Sequence, residues 1–185
     1  MRRVCTNRRK SVTRNDSEKD EFPLSERPNY QERNDGRLDL TLHRVVDVPR
    51  SLIWKIWTDP EQIKKWWAPR PWSTVDCKMD LRPGGIFATT MRSPEGQDFP
   101  YVGCFLEIVP EEKLVMTNAL EPGYRPAVEP FFTVVLTLRD LGGKTDYTAL
   151  VMHRDEEGKK KHETMGFHQG WSTVLDQLVE VAKEL

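Results

Sequence analysis

The chain has few of the features that mark specialised classes of protein. Its 185 residues include three cysteines, without the paired spacing of a metal site, and so low a number is typical of a reducing compartment. No apolar run approaches the roughly 20 residues of a membrane helix, and no signal-peptide core follows the basic start. These absences predict a cytoplasmic protein that does not bind membranes.

The sequence also lacks an excess of charge of either sign. Lys and Arg number 28, and Asp and Glu number 29, so the formal net charge is −1 and nucleic-acid binding is not expected of the whole chain. A phosphate-binding glycine loop and a Gly-x-Ser-x-Gly nucleophile motif are missing too. We therefore expect no cofactor, no metal and no recognisable catalytic set.

Hydrophobic residues are scarce over residues 1–37. The chain as a whole is 37 % hydrophobic, but this segment holds only seven such residues. It has too little apolar surface to offset the entropy lost on ordering, so we predict a disordered polar tail at 1–37 and one domain at 38–185. Because residues 1–14 contain six basic groups and no acid, a targeting segment or a nucleic-acid-binding arm stays open as an alternative.

The rest of the chain alternates between strand and helix patterns. Apolar alternation from Leu38 to Val48 predicts a first strand, and Pro49 and Asp59 precede two short helices. Further strands separated by short turns are predicted at residues 86–91, 101–109, 114–119, 131–138 and 145–153. Short turns indicate antiparallel pairing, so we expect an α+β fold with a curved antiparallel sheet of six to seven strands.

One long helix is predicted at the end of the domain. Apolar residues from Phe167 to Leu185 recur at spacings of four and three, which gives a single apolar stripe. Counted from about Lys160, such a helix spans nearly 40 Å, at ~1.5 Å per residue, and could lie along the whole sheet. One helix cannot cover a broad curved sheet closely, so we predict an apolar cavity between them.

Aromatic side chains are the main candidates for lining that cavity. We predict that they contact a small apolar ligand, although the same spacing also fits ordinary core packing. His168 joins them because it lies beside the Trp171 face, and a general acid–base role stays open for it. The candidate binding residues are Trp66, Trp67, Trp72, Phe87, Phe131, Phe167, His168 and Trp171.

Two glycines and two histidines occupy the predicted helix. Gly166 and Gly170 lie one turn apart, and each destabilises a helix interior by about 1 kcal/mol relative to Ala. They allow either a close approach of helix to sheet, or room for a ligand or a bend. His162 and His168 are six residues apart and face different sides, a spacing that does not favour a metal site.

Several short motifs occur in the order found in a known family. They are Val48–Trp54, Trp57–Glu61, Lys65–Trp67, Asp80–Gly85, Val109–Val115, and Gly170–Trp171 with Leu175 and Leu178. Over roughly residues 39–185 the chain resembles the START-like (SRPBCC) superfamily. Within it, the chain is similar to bacterial proteins related to the C-terminal domain of the Hsp90 ATPase activator.

The resemblance implies the helix-grip fold of START and Bet v 1-like proteins, in which the sheet wraps around the C-terminal helix. It also implies non-catalytic binding of a small hydrophobic or aromatic ligand by a carrier, sensor or sequestering protein. A cyclase- or hydrolase-like enzyme that uses the same cavity is the alternative. A module that binds a chaperone ATPase is a weaker one, since the chain lacks the additional N-terminal domain of Hsp90 activators. A homodimer stays open, because edge strands often pair.

Overall fold

The secondary structure of the domain alternates short helices with antiparallel strands. The computed structural model describes residues 36–185. Its elements, in chain order, are β1 (Asp39–Val46), α1 (Arg50–Trp57), α2 (Pro60–Trp66), β2 (Ser73–Met79), β3 (Ile86–Arg92), β4 (Asp98–Val109), β5 (Lys113–Thr117), β6 (Leu120–Glu121), β7 (Arg125–Pro126), β8 (Thr133–Asp140), β9 (Thr145–Met152), α3 (Glu156–Thr164) and α4 (Phe167–Lys183). The tail predicted at 1–37 lies outside the described residues, apart from Gly36 and Arg37, which precede β1.

Seven of the strands form one antiparallel sheet in the order β1-β9-β8-β5-β4-β3-β2. The strands β6 and β7 pair separately as a small hairpin. Register shifts interrupt the ladders between Thr74 and Asp76 and between Phe105 and Glu107. Bulges of this kind bend a strand and increase its twist, so they add curvature to this half of the sheet. The predicted α+β helix-grip fold is confirmed.

Strand β2 is an element that hydrophobic patterning did not predict. Its exposure pattern has only one buried position, Thr74, and it contains the exposed residues Asp76 and Lys78. It is an edge strand that pairs only with β3. Edge strands carry charged side chains that discourage further pairing, and this weakens the apolar alternation on which strand prediction depends.

The start of α2 follows the predicted capping pattern. The Asp59 carboxylate accepts a hydrogen bond from the Glu61 N–H at 2.8 Å, and Pro60 occupies the first helical position. Ile53 and Ile56 from α1 and Ile63 from α2 are fully buried. These two helices therefore cover one end of the sheet as a fixed pair.

The C-terminal helix is divided into α3 and α4, so the continuous helix predicted from about Lys160 is wrong in this respect. Gly166 separates them with a φ of 91°. This left-handed conformation is open to glycine and strained for other residues. The Gly166 N–H donates to the Glu163 carbonyl at 2.9 Å, which closes the end of α3 before α4 begins at Phe167. The predicted helix is therefore interrupted at Gly166.

The two glycines respond differently to substitution. A Cβ at Gly170 would meet no atom within 4 Å, so a close approach to the sheet is not the reason for this glycine. Gly170→Ala should therefore raise the free energy of unfolding by about 0.5–1 kcal/mol, because alanine favours the helix. Gly166→Ala should lower it by about 1–2 kcal/mol, because alanine is strained at positive φ. Urea denaturation of both variants checks the opposite signs, and equal signs would contradict this account.

The hydrophobic core lies between the helices and one face of the sheet, here called the inner face. Phe87, Phe105, Leu136 and Ala149 lie on this face with at most 1 % of their surface exposed. Helix α4 buries Phe167, Leu178 and Val181 of the predicted apolar stripe, and Leu175 beside them. Leu185, the last residue of that predicted stripe, lies beyond the end of α4 and is 56 % exposed. Within residues 36–185, none of the helices combines the length and the apolarity that a membrane span requires.

Candidate functional site

Three tryptophans pack together where α2 follows α1. Trp57, Trp66 and Trp67 meet edge to face, with ring centroids 4.8, 5.4 and 5.6 Å apart. Trp57 and Trp66 are buried, whereas Trp67 is partly exposed and lies 5.2 Å from the Phe87 ring on the inner face. Offset and edge-to-face contacts of this kind add to the stabilisation from area burial. The cluster therefore holds α1 and α2 against β3.

The side chain of Gln177 on α4 holds the segment that follows α2. Its Nε2 donates to the carbonyl oxygens of Trp66 and Ala68 at 2.8 and 2.9 Å. Its Oε1 accepts from the Arg70 N–H at 2.9 Å, and the residue is 3 % exposed. An amide is the side chain that offers both two donor hydrogens and an acceptor. This Gln177 bridge fixes the chain direction between Trp67 and the start of β2.

A series of aromatic rings follows the inner face from β3 to α4. Phe87 lies 6.2 Å from Tyr101, and Tyr101 is stacked on Phe132 at 5.9 Å with an interplanar angle of 17°. Phe132 then meets Trp171 edge to face at 6.3 Å. Phe87 is fully buried, but the other three rings are partly exposed. We call these four residues the aromatic wall.

A cavity of about 330 Å³ lies beside the aromatic wall, at the end of β8 and β9. Phe132 belongs to both, because it is one of the residues that line the cavity and its ring is stacked on Tyr101. The lining is Ala119, Pro130, Phe131, Phe132, Thr133, Met152, His153 and Arg154. A second cavity of about 590 Å³ is lined by residues of β3, β4 and the segment 118–129. The first cavity opens next to aromatic rings that are partly exposed, which makes it the candidate site.

Two buried histidines join the cavity to α4. His153 follows β9 and His162 lies on α3, and they are 6 and 7 % exposed. His153 Nε2 lies 3.0 Å from His162 Nδ1, and His153 Nδ1 lies 3.0 Å from the Leu38 carbonyl oxygen. The Trp171 indole N–H donates to His162 Nε2 at 3.3 Å. All four imidazole nitrogens therefore have a partner.

These contacts determine the protonation state of both rings. The indole nitrogen only donates, so His162 Nε2 is an acceptor and the proton of His162 sits on Nδ1. His162 then donates to His153 Nε2, which leaves the His153 proton on Nδ1, directed at the Leu38 carbonyl. Burial, together with a smaller effect of the neighbouring His153, lowers the pKa of His162 to about 4. Both rings are neutral in this arrangement.

Several hydroxyl groups on β2, β3 and β4 are buried without a hydrogen-bond partner among residues 36–185. They belong to Thr74, Thr89 and Tyr101. Thr89 pairs directly with Tyr101 across β3 and β4. A Cβ on Gly103 would lie 2.9 Å from the Tyr101 Oη, so the absence of a side chain at Gly103 leaves room for the phenol. An unpaired buried polar group destabilises the folded state by about 1–3 kcal/mol.

The sequence and the fold of the chain are similar to those of known proteins. A family model described as "Activator of Hsp90 ATPase homolog 1-like protein" matches residues 47–183. This chain belongs to that family. This family is part of the START-like superfamily, so the resemblance predicted from the motifs is confirmed. Proteins of the wider superfamily bind hydrophobic ligands.

Several solved structures are similar to the chain. A protein from Nitrosomonas europaea is 49 % identical, with a TM-score of 0.79 over 81 % of this chain and 97 % of that chain. A protein from Arthrobacter aurescens is 23 % identical, with a TM-score of 0.70 over 81 % of this chain and 88 % of that one. An AHSA1-like protein from Aeromonas hydrophila is 18 % identical, with a TM-score of 0.61 over 80 % of this chain and 93 % of that one. At identities this low, the last two structures show the fold alone. No curated protein matches the sequence.

The predicted binding residues of this activator-like protein fall into three environments. Trp66, Phe87 and Phe167 are at most 2 % exposed and belong to the core. Trp67, Trp72, Phe131 and Trp171 are partly exposed, and Phe131 lines the first cavity. His168 is exposed at the start of α4, with its ring 5.1 Å from Phe167. Ligand contact by these eight residues stays a prediction. Neither of the two cavities has a lining residue from α4, so the cavity predicted between the sheet and the C-terminal helix is not one of them.

The residues that pattern reasoning missed are those that tertiary contacts bring together. Tyr101, Phe132, His153 and His162 come from two strand regions, a turn and α3, and their sequence separation gives no sign of contact. Alternation alone placed Tyr101 and Phe132 in strands, but it did not identify their shared face. The pair of histidines nine residues apart had no pattern that distinguished it from surface histidines.

Neither cysteine of the domain is set up for reaction. Burial raises the pKa of the Cys77 thiol to about 11, and the Asp76 carboxylate acts in the same direction. Cys104 is fully buried, and its thiol donates to the Phe105 carbonyl at 3.3 Å. In the part of the chain that the structure describes, no three His, Cys, Asp or Glu side chains are grouped so that they could hold a metal ion.

The neutral histidine pair gives the protein a defined acid sensitivity. His162 has an ordinary pKa of 6.5 that falls to about 4 in the fold, so the unfolded chain binds its proton first as pH decreases. Stability should fall between pH 6.5 and about 4, by about 2 kcal/mol in total once partial solvation is allowed for. The measurement is the urea midpoint across this range for wild type, for His162→Gln, and for His168→Gln as an exposed control.

His162→Gln should flatten the pH dependence, and His168→Gln should keep it. Hydrogen bonds from Arg139 and His43 lower the pKa of the Asp146 carboxylate from its ordinary value of 3.8. The stability that this carboxylate provides is therefore lost only as the pH falls below about 3.8. The two effects therefore occupy different pH windows. An unchanged slope in His162→Gln would contradict the assignment to His162.

Proposed function

We propose that this activator-like protein binds a small hydrophobic or aromatic ligand without chemical turnover, at the first cavity and the adjoining aromatic wall. The observation that carries the proposal is the position of Phe132. The residue lines the cavity of about 330 Å³, and its ring meets those of Tyr101 and Trp171. A carrier, sensor or sequestering role fits such a site.

The size and lining of the cavity support this proposal. Ligand pockets have volumes of roughly 300–1,000 Å³ and are lined mostly by apolar and aromatic side chains with few polar groups. Phe131, Phe132, Pro130 and Met152 provide the apolar part here. Because Phe132 and Trp171 are only partly buried, a ligand that shifts them extends the cavity along the inner face.

The state of the ionisable groups favours binding over catalysis. A general acid or base needs a free nitrogen or oxygen within reach of its substrate. The four nitrogens of His153 and His162 are occupied by each other, by Leu38 and by Trp171. The thiol of Cys77 stays protonated at neutral pH because burial raises its pKa.

Two alanines allow a matched test of the site. Ala119 lines the first cavity and Ala127 lines the second, and both are partly buried. We expect naphthalene to bind the wild type in isothermal titration calorimetry. Ala119→Leu should weaken this binding at least about tenfold by filling the cavity, and Ala127→Leu should leave it unchanged.

Native mass spectrometry of the purified protein should in addition reveal a co-purified apolar compound. Thermal unfolding of both variants confirms that each is folded. Absence of binding by the wild type, or equal loss in the two variants, would overturn the proposal. Chemical conversion of a bound compound would favour the enzyme alternative.

A further inference from the structure

Three buried hydroxyls on β2, β3 and β4 have no hydrogen-bond partner among residues 36–185, and the one on Tyr101 lies beside the proposed site. Thr89 is 2 % and Thr74 is 7 % exposed, and neither side-chain oxygen finds a hydrogen-bond partner among residues 36–185. The Tyr101 Oη is in the same state. Buried polar groups in folded proteins are nearly always paired, so a group of three in one region requires an explanation.

The three hydroxyls lie along neighbouring strands. Thr89 is the cross-strand partner of Tyr101 on β4, and Thr74 lies on β2 opposite Met91. Of the three, Tyr101 is directly connected to the proposed site, because its ring is stacked on Phe132, which lines the cavity. A ligand ring that shifts Phe132 therefore comes next to the phenol.

The groups around this position are uncharged. Cys77 is the cross-strand partner of Thr89, and burial raises the pKa of its thiol to about 11. Burial likewise raises the pKa of Tyr101 and lowers that of His162 to about 4. Two cations lie at the cavity end of the site. Arg154 is an exposed lining residue whose Nε donates to Asp155 at 2.8 Å, and the Lys161 Nζ lies 5.6 Å from the centroid of the Phe131 ring. Neither residue belongs to the aromatic wall, so a carboxylate placed at the Tyr101 hydroxyl would be buried away from the cations at the cavity.

We propose that the ligand is an aromatic or apolar compound with one uncharged hydrogen-bond acceptor, such as a ketone or ester carbonyl, which takes the hydrogen bond of the Tyr101 hydroxyl. This inference rests on the proposed function and specifies its ligand class. A pure hydrocarbon leaves the phenol unpaired, and a carboxylate brings an unpaired charge into an apolar site. Thr89 and Thr74 provide the further polar surface toward the sheet edge.

Three probes of similar shape separate these ligand classes. They are naphthalene, 2-acetylnaphthalene and 2-naphthoate, titrated into wild type by calorimetry. We expect wild type to bind 2-acetylnaphthalene about tenfold more tightly than naphthalene. The part of this difference that is absent in Tyr101→Phe is the contribution of the hydroxyl. We expect 2-naphthoate to bind more weakly than either of the other two probes.

Tyr101→Phe removes only the hydroxyl and retains the stacked ring. In this variant, 2-acetylnaphthalene should no longer bind more tightly than naphthalene. Naphthalene itself should bind the variant at least as tightly as it binds wild type. Tyr124→Phe is the matched control, since this exposed phenol lies against Gly84, away from the cavity. It should leave all three affinities unchanged.

The outcomes distinguish the inference from the proposed function. Binding of naphthalene with no carbonyl advantage, or an advantage that survives Tyr101→Phe, overturns the inference and leaves the proposed function standing. Tightest binding of 2-naphthoate overturns the inference in favour of an anionic ligand. Failure of all three probes to bind wild type overturns both.

Discussion

Replacement of Gln177 by leucine is expected to lower the free energy of unfolding by at least about 3 kcal/mol. The side chain is 3 % exposed and satisfies the carbonyls of Trp66 and Ala68 and the N–H of Arg70. Leucine has a similar volume, so the loss comes from three backbone groups left without their partner rather than from a cavity. Urea denaturation monitored by circular dichroism measures the effect.

A matched substitution on the same helix provides the control. Gln169 is exposed in the first turn of α4, and its side chain makes one long hydrogen bond of 3.4 Å to Thr173. Gln169→Leu should change stability by less than about 0.5 kcal/mol. If Gln177→Leu lost less than about 1 kcal/mol, water would be replacing the bridge, and the segment after α2 would not depend on it.

Substitution of Gly85 by alanine is expected to be at least as damaging, with a loss of more than about 3 kcal/mol or a failure to fold. A Cβ there would lie 2.0 Å from the Asp80 carbonyl oxygen and 2.9 Å from that of Arg82, both backbone atoms of the same turn. The turn cannot open easily, because the Gly85 carbonyl accepts from the Phe105 N–H at 3.0 Å. Soluble yield and the urea midpoint measure the loss.

The neighbouring glycine tests whether backbone contact is the cause. At Gly84 a Cβ would meet the Tyr124 ring at 2.8 Å, and this half-exposed side chain can move. The φ of 76° adds strain of about 1–2 kcal/mol for alanine, so Gly84→Ala should be the milder change. A larger loss for Gly84→Ala than for Gly85→Ala would show that the clash with Asp80 is relieved by local movement.

Patterns that depend on nearby residues predicted the fold well. Asp59 and Pro60 mark the start of α2 because capping involves groups within one turn, and the turn at 82–85 precedes β3 for a similar reason. β2 was missed because its charged edge hides the alternation. The break at Gly166 was not decided by the sequence, since a glycine inside an apolar stripe is compatible with both a straight helix and a bend.

The site was less predictable than the fold because its contacts join distant parts of the chain. The apolar stripe identified Trp171 as an inward-facing residue, but its partner His162 depends on the turn between α3 and α4. The stacking of Tyr101 on Phe132 depends on β4 and β8 both flanking β5. Local patterns specify which face a residue occupies, and only the assembled sheet specifies what lies opposite it.

The arrangement of the tryptophans determines what optical spectroscopy of this protein reports. Trp57, Trp66 and Trp67 are close enough for their electronic transitions to interact, so they should produce a coupled circular dichroism signal that disappears when the domain unfolds. Trp171 stands apart from them, with its ring nitrogen tied to an imidazole. An emission change that leaves the coupled signal intact therefore reports occupancy of the site rather than loss of structure.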